Sequence, residues 1–245
     1  MLGRFDSEDT LQRVRKTTEL SLFRIELSNA FRLYASYMVH ISCFTGGIAQ
    51  TNGYLVESSQ GNFVVDAPEG FAAWVKKSGV MSVEALLLTH QHFDHCQDAA
   101  AVQKEFGAKV YSFAEFSREL TLEFLMGFVS GTRFEVAAFE VDEILEGRDE
   151  IEVAGLKWKL AHVPGHSLDS VTFYQGELGL WFGGDVLFEG GVGRTDFPNG
   201  SSALLMEGIK TKVLTLPDET RVLPGHGGET TVGDERVGNP FLTGL

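Results

Sequence analysis

A chain of 245 residues, 43% hydrophobic and 22% charged, has the length and make-up of one globular unit with a sizeable core. Acidic residues outnumber basic ones by 34 to 20, a net charge of −14, so the chain carries no overall electrostatic footprint for a phosphate backbone and no nucleic-acid partner is expected. Cys43 and Cys96 make no disulfide framework, no stretch approaches the ~18 uninterrupted apolar residues of a membrane helix, and residues 1–37 lack the apolar core of a secretory signal, so a cytoplasmic chain with no membrane role is expected.

Residues 1–37 carry Arg13, Arg15, Lys16, Arg24 and Arg32 among acidic residues with weak helical periodicity, and read as an extension of uncertain structure. Met38, ahead of the strand-like Val39-His40-Ile41, is an alternative start, and Asp6, Glu8, Asp9 and Glu19 weigh against a transit peptide. A single domain is expected over residues 38–245. Tyr54-Leu55-Val56-Glu57 and Asn62-Phe63-Val64-Val65-Asp66 read as strands around the turn 58–61. Phe71, Trp74 and Val75 mark a short helix stopping near Gly79, and the apolar run Ala85–Leu88 reads as a buried strand. Ala99, Val102 and Phe106 mark the next helix, with Asp98 in its first turn and Gly107 as its stop, and Val110–Phe113 a further strand. Strands alternating with helices imply a layered α/β architecture.

Phe116, Leu120, Phe124 and Phe128 recur every four positions and predict an amphipathic helix, packed in the core or capping a pocket. Short strands are then expected at 151–153, 156–160, 171–174 and 178–182, followed by a helix marked by Leu205, Ile209, Val213 and Leu216 and a last strand over 221–223.

The chemistry is concentrated in Leu88-Thr89-His90-Gln91-His92-Phe93-Asp94-His95-Cys96, where potential metal ligands crowd the loop leaving a buried strand. Imidazole and carboxylate together suit zinc, iron or manganese. Cys96 reads as a small buried residue at the start of a helix, with a soft extra ligand as the other possibility. Three later stretches end strand-like runs in the same manner: Pro164-Gly165-His166-Ser167, Trp181-Phe182-Gly183-Gly184-Asp185 and Leu223-Pro224-Gly225-His226-Gly227.

These four motifs in this order resemble the signature of the metallo-β-lactamase superfamily, from about residue 41 to the end of the chain. The resemblance implies a four-layer αββα sandwich, with His90, His92 and His166 on a first metal, Asp94, His95 and His226 on a second, and Asp185 bridging them. It also implies that Asp66 supports the ligand loop from behind, although Ala67-Pro68-Glu69-Gly70 departs from the usual turn after that aspartate. His40 and His162 match no motif and read as structural or surface histidines. Gly184-Asp185-Val186-Leu187-Phe188 and Gly193-Arg194-Thr195-Asp196-Phe197-Pro198 look like the glyoxalase II branch, and an aspartate at 185 differs from the β-lactamases that use cysteine there. The implied cofactor is two divalent ions, zinc first, with iron or manganese as alternatives. The implied reaction is attack by a metal-bridging hydroxide, oriented by Asp94, on an activated acyl bond of a small molecule, a thioester of the hydroxyacylglutathione type. Arg194 is a candidate anion anchor or a structural residue of its loop. Only Gly227–Leu245 follow the last ligand, so the glutathione-holding helical domain of full-length relatives is not expected. Two other readings stay open: a mononuclear iron persulfide dioxygenase using His90, His92, His166 and Asp185, and a non-catalytic metal sensor.

Overall fold

The computed structural model describes residues 39–244; the extension expected over residues 1–37 lies outside them. The strands β1 (His40–Gly46), β2 (Thr51–Glu57), β3 (Asn62–Val65), β4 (Ala85–Leu87), β5 (Lys109–Ser112) and β6 (Glu143–Ile144) form one six-stranded sheet in that order. The second half of the chain contributes β7 (Glu150–Val153), β8 (Leu156–His162), β9 (Val171–Gln175) and β10 (Leu180–Gly184), a small ribbon β11 (Leu187–Phe188) and β12 (Gly191–Val192), then β13 (Arg221–Pro224) and β14 (Thr230–Thr231). Its six-stranded sheet has the order β14-β13-β10-β9-β8-β7.

Alternation of side chains along these strands makes the layers. Residues Leu55, Val64, Leu86 and Val110 point outward and pack on helices α1 (Phe71–Lys77) and α3 (Ala99–Phe106), which precede and follow the short helix α2 (Phe93–Cys96) in the chain. Their neighbours point the other way. Phe63 meets Trp158 edge-on at 5.4 Å, and Tyr54 meets Phe182 at 5.3 Å, so aromatic rings fill the space between the sheets. Beyond the second sheet, Trp181 and Val222 pack on Leu205, Ile209, Val213 and Val232. These come from α6 (Ser202–Gly208), the π-helical turn Ile209–Val213 that continues it, and α7 (Val232–Gly238). The result is the expected helix–sheet–sheet–helix sandwich. Strands covered on both faces explain the near-continuous apolar runs at 54–56 and 85–88.

Strand direction brings the ligand motifs to one end. β10 runs parallel to β13, and β8 and β10 are both antiparallel to β9, so β8, β10 and β13 all finish on the same side. β3 and β4 are parallel, and β2 is antiparallel to β3, so the start of β2 lies beside the end of β3. An isolated bridge between Thr51 and His226, with the Asn52 amide donating to the Gly225 carbonyl at 2.7 Å, stitches the two sheets together there.

One expectation is corrected. The stripe from Phe116 to Phe128 does not form a single helix: α4 (Arg118–Thr121) and α5 (Glu123–Ser130) are separated by Leu122, whose φ of 53° lies in the left-handed region. The break rotates the stripe out of register, leaving Phe124 72% and Phe128 89% exposed instead of in the core. The chain also forms β6, β11, β12, β14 and α7, which are too short or too polar to read from pattern. Among the described residues, no helix is long and apolar enough to cross a membrane.

Candidate metal centre

Each ligand motif leaves the C-terminal end of a strand: His90 and His92 follow β4, His166 follows β8, Asp185 follows β10 and His226 follows β13. Asp94 and His95 lie in α2, which continues the first loop. The three imidazole nitrogens His90 Nε2, His92 Nδ1 and His166 Nε2 converge, 3.1 Å separating the first two and 2.9 Å the last two. Alongside them, His95 Nε2 lies 3.6 Å and His226 Nε2 3.4 Å from Asp94 Oδ2. Asp185 stands between the groups, with Oδ2 3.3 Å from both His166 Nε2 and His226 Nε2, and Oδ1 3.3 Å from His95 Nε2. Four ligands at 2.0–2.2 Å around a tetrahedral ion stand roughly 3.3–3.6 Å apart, close to this spacing.

The donor chemistry also fits cations. His95 Nε2 and Asp185 Oδ1 are buried without a hydrogen-bond partner although they face each other, an arrangement that costs energy unless something else satisfies them. Triads of donor atoms within 4.8 Å of one another occur as His90–His92–His166, His90–His95–Asp185 and Asp94–His95–His226.

The nitrogens on the far side of the rings are held. His95 Nδ1–H donates to Asp66 Oδ2 at 2.8 Å, and Asp66 also accepts the Thr89 amide and hydroxyl, both at 2.8 Å. Asp66 is therefore behind the loop, where the resemblance puts it, in a left-handed backbone at φ 56°. His166 Nδ1–H donates to the Arg194 carbonyl at 2.8 Å. Such contacts set the tautomer and ring orientation. The Arg194 guanidinium makes paired 2.6 Å hydrogen bonds to Asp196. Glycine is required at 225, because a Cβ there would run into Asp185 Oδ1 and stand 2.6 Å from His95 Cε1.

Burial, reinforced by the neighbouring His95 and His92, holds His90 well below the usual imidazole range, and burial with His166 lowers His92 to about 3. Both are thus neutral, with lone pairs free for a cation. Burial disfavours the charged form of His95 too, but the carboxylates of Asp185, Asp94 and Asp66 outweigh it and raise it. At His226 burial is likewise overcome by the hydrogen-bonded Asp185 and Asp94, which lift it to about 10. Burial pushes Asp94 up, yet His95, His226 and Thr51 bring it down to about 2.

Two supporting residues have no counterpart in the sequence reading. Thr51 Oγ1 donates to Asp94 Oδ2 at 2.6 Å. Asp169 accepts the Gln91 amide at 2.9 Å and the Ser167 hydroxyl, tying the His90–His92 loop to the His166 loop, and burial raises its carboxyl to about 6. An acidic residue three places after a ligand histidine was the available signal. Cys96 is buried with its thiol donating to the carbonyls of Gln91 and His92, a structural position. His162 stacks on Phe113 and donates to the Leu168 carbonyl, and His40 is exposed.

Above the cluster is a cavity of about 350 Å³ whose other walls include Ile48, Leu122, Met126, Phe134, Phe197 and Arg194. A larger cleft of about 640 Å³ beside Arg118 and Arg133 contains none of the candidate ligands, so size alone does not mark the site.

Residues 46–226 match the family model for the metallo-beta-lactamase superfamily. The chain is 37% identical over 202 residues to a probable metallo-hydrolase, YqgX of Bacillus subtilis, covering 81% of this chain and 95% of the relative. It is 37% identical over 166 residues to the hydroxyacylglutathione hydrolase GloC of Haemophilus influenzae, covering 66% and 77%. Among solved structures it is similar to the BLEG-1 B3 metallo-beta-lactamase, with a TM-score of 0.74, 31% identity and coverage of 84% and 100%. TTHA1623 in a di-iron-bound form gives a TM-score of 0.70, 35% identity and coverage of 82% and 100%. The ligand-bearing strand ends, the two-sheet sandwich and these matches agree, and the chain belongs to the metallo-beta-lactamase superfamily.

Proposed function

We propose that this protein is a metal-dependent hydrolase of activated acyl bonds, with thioesters of the hydroxyacylglutathione type as the first substrates to test. The observation that carries the reading is the position of Asp185 between two groups of converging donors at the floor of a cavity. The similarity to GloC supports the thioester. His90, His92 and His166 would hold one cation and Asp94, His95 and His226 a second, with Asp185 shared. Bound divalent ions, zinc in the first place and iron or manganese as alternatives, would supply Lewis acidity that brings water toward ionisation at neutral pH and polarises the acyl carbonyl.

The residues do the rest. Neutral His90 and His92 offer lone pairs, while Asp66 and the Arg194 carbonyl keep His95 and His166 from rotating. Asp94, ionised and held by Thr51, orients the attacking water and takes up its proton. The apolar walls exclude competing solvent, which strengthens these polar interactions. The enzyme would act in the cytoplasm, in keeping with its two cysteines, and on small molecules, in keeping with an acidic balance that lacks a footprint for nucleic acid.

Elemental mass spectrometry of the purified protein and an assay on S-lactoylglutathione test this. About two ions per chain with hydrolysis support it, and Asp94→Ala is expected to lower kcat by about 10²–10⁴ without loss of fold. A fully active Asp94→Ala variant overturns the mechanism. The second reading is a mononuclear iron persulfide dioxygenase; the di-iron form of TTHA1623 favours iron as a metal to consider. One iron per chain with oxygen-dependent persulfide consumption would replace the hydrolase reading.

A further inference from the structure

We infer that the cavity over the candidate metal centre selects the acyl half of its substrate by apolar contact, so that simple aliphatic acyl thioesters are preferred to hydroxyacyl ones. This rests on the thioester reading above and goes beyond it by assigning the specificity to named walls.

One wall is the face of α5 that carries Met126 and Ser130, with Leu122 at its start: positions four apart that share a side of the helix. A second is Phe134, whose ring packs on Phe93 at 4.4 Å. Glu123 holds these two walls together, since its buried carboxylate accepts the Val136 amide at 2.6 Å and pairs with Arg118. A third is Phe197, edge-on to His92 at 5.5 Å and to His166 at 6.0 Å, which sets an apolar surface directly beside the reacting position.

Polar recognition is sparse. Apart from the candidate ligands, the described residues lining the cavity offer only the Ser130 hydroxyl and the Arg194 guanidinium as side-chain donors. Arg194 is already engaged by Asp196 and lies 4.3 Å over the Phe197 ring. A glutathione moiety, with two carboxylates and an ammonium, finds no matching set of charges inside, so the charged thiol carrier stays toward solvent and the acyl group enters. A hydroxyl on that acyl group loses water against these walls without a partner in return, whereas methylenes gain by burial.

The test keeps the thiol constant. With the metal-loaded full chain, kcat/KM is expected to rise from S-lactoyl- to S-butanoyl- to S-hexanoylglutathione, by about fourfold for each methylene fully buried. Met126→Ser and Phe134→Ser are each expected to lower the hexanoyl-to-lactoyl ratio by about fivefold. Calorimetry with the non-hydrolysable thioethers should give S-hexylglutathione at least about tenfold tighter binding than S-methylglutathione. A flat or falling rate series, or a ratio unmoved by both variants, overturns the inference. If no thioester is turned over yet S-hexylglutathione binds tighter, the thioester reading fails and the apolar selection stands. No turnover with equal affinities overturns both.

Discussion

Asp94 accepts a hydrogen bond from the Thr51 hydroxyl, 43 residues away in sequence, and the part this contact plays in the proposed mechanism is open to test. The Thr51 hydrogen bond stabilises the ionised carboxylate, so removing it raises the Asp94 pKa. Thr51→Val, close in shape, is therefore expected to move the acidic limb of the pH–rate profile to higher pH. It should also lower kcat by about tenfold, in line with ~1.5–3 kcal/mol for a hydrogen bond to a charged group. Thr51→Ser should restore both, and an unchanged acidic limb in Thr51→Val would show that the hydroxyl does not tune Asp94. The candidate ligands were legible because local spacing carries them: His90, His92, Asp94 and His95 lie on one loop and helix, and each remaining one ends its own strand. Thr51 was not legible, and Asp169 left only the hint of its spacing after His166. Each serves a residue on another segment, and nothing in its immediate neighbours says which.

At the scale of elements, the segment from Phe116 to Phe139 shows where periodicity misleads. Spacing of four predicts a continuous amphipathic helix, but the chain breaks at Leu122, and the residue that follows is a buried acid. Glu123 takes the Val136 amide and so folds the later segment, with Phe134, back over the cavity. Its pairing with the half-exposed Arg118 contributes little, because that guanidinium reaches water. Glu123→Ala is expected to destabilise by about 1–3 kcal/mol, the cost of leaving a buried amide without an acceptor. Denaturant unfolding would measure this loss, and hydrogen exchange at the Val136 amide should accelerate. Glu123→Gln, which keeps an acceptor oxygen, should lose less. Slow exchange at Val136 in Glu123→Ala would mean that the segment is held by its apolar contacts instead. The flanking helices α1 and α3 were legible because their apolar positions and terminal glycines agree with each other, as at Phe106 and Gly107.

For the whole molecule, charge around the candidate metal centre is expected to make stability depend on pH and on any metal held there. In metal-stripped protein, His226 has a folded-state pKa raised from 6.5 to about 10, so its contribution is fully present below 6.5 and is lost as pH rises through about 10. Asp94 is depressed from 3.8 to about 2, so its contribution is present above 3.8 and is lost as pH falls through about 2. Cations compete with those protons and need neutral imidazole. The gain in Tm on loading metal is therefore expected to grow as pH rises above 6.5, since stripped protein weakens while loaded protein gains affinity. Thermal melts of chelator-treated and reloaded protein across this range would check it, and parallel curves would show that His226 does not couple to the metal.

Sequence alone determined the family, the layered architecture and the set of candidate ligands. Those depend on short-range pattern: apolar runs for strands buried on both faces, and ligand residues where such runs end. Tertiary structure alone decided which donors meet, that Asp185 stands between both groups, that Arg194 offers its carbonyl to His166, and that an apolar wall closes over the centre. These depend on strand direction and on the packing of two sheets, which bring together residues such as Thr51, Asp94 and His226 from distant parts of the chain. Local spacing carries no record of such meetings, because the contacts form only once both sheets are paired.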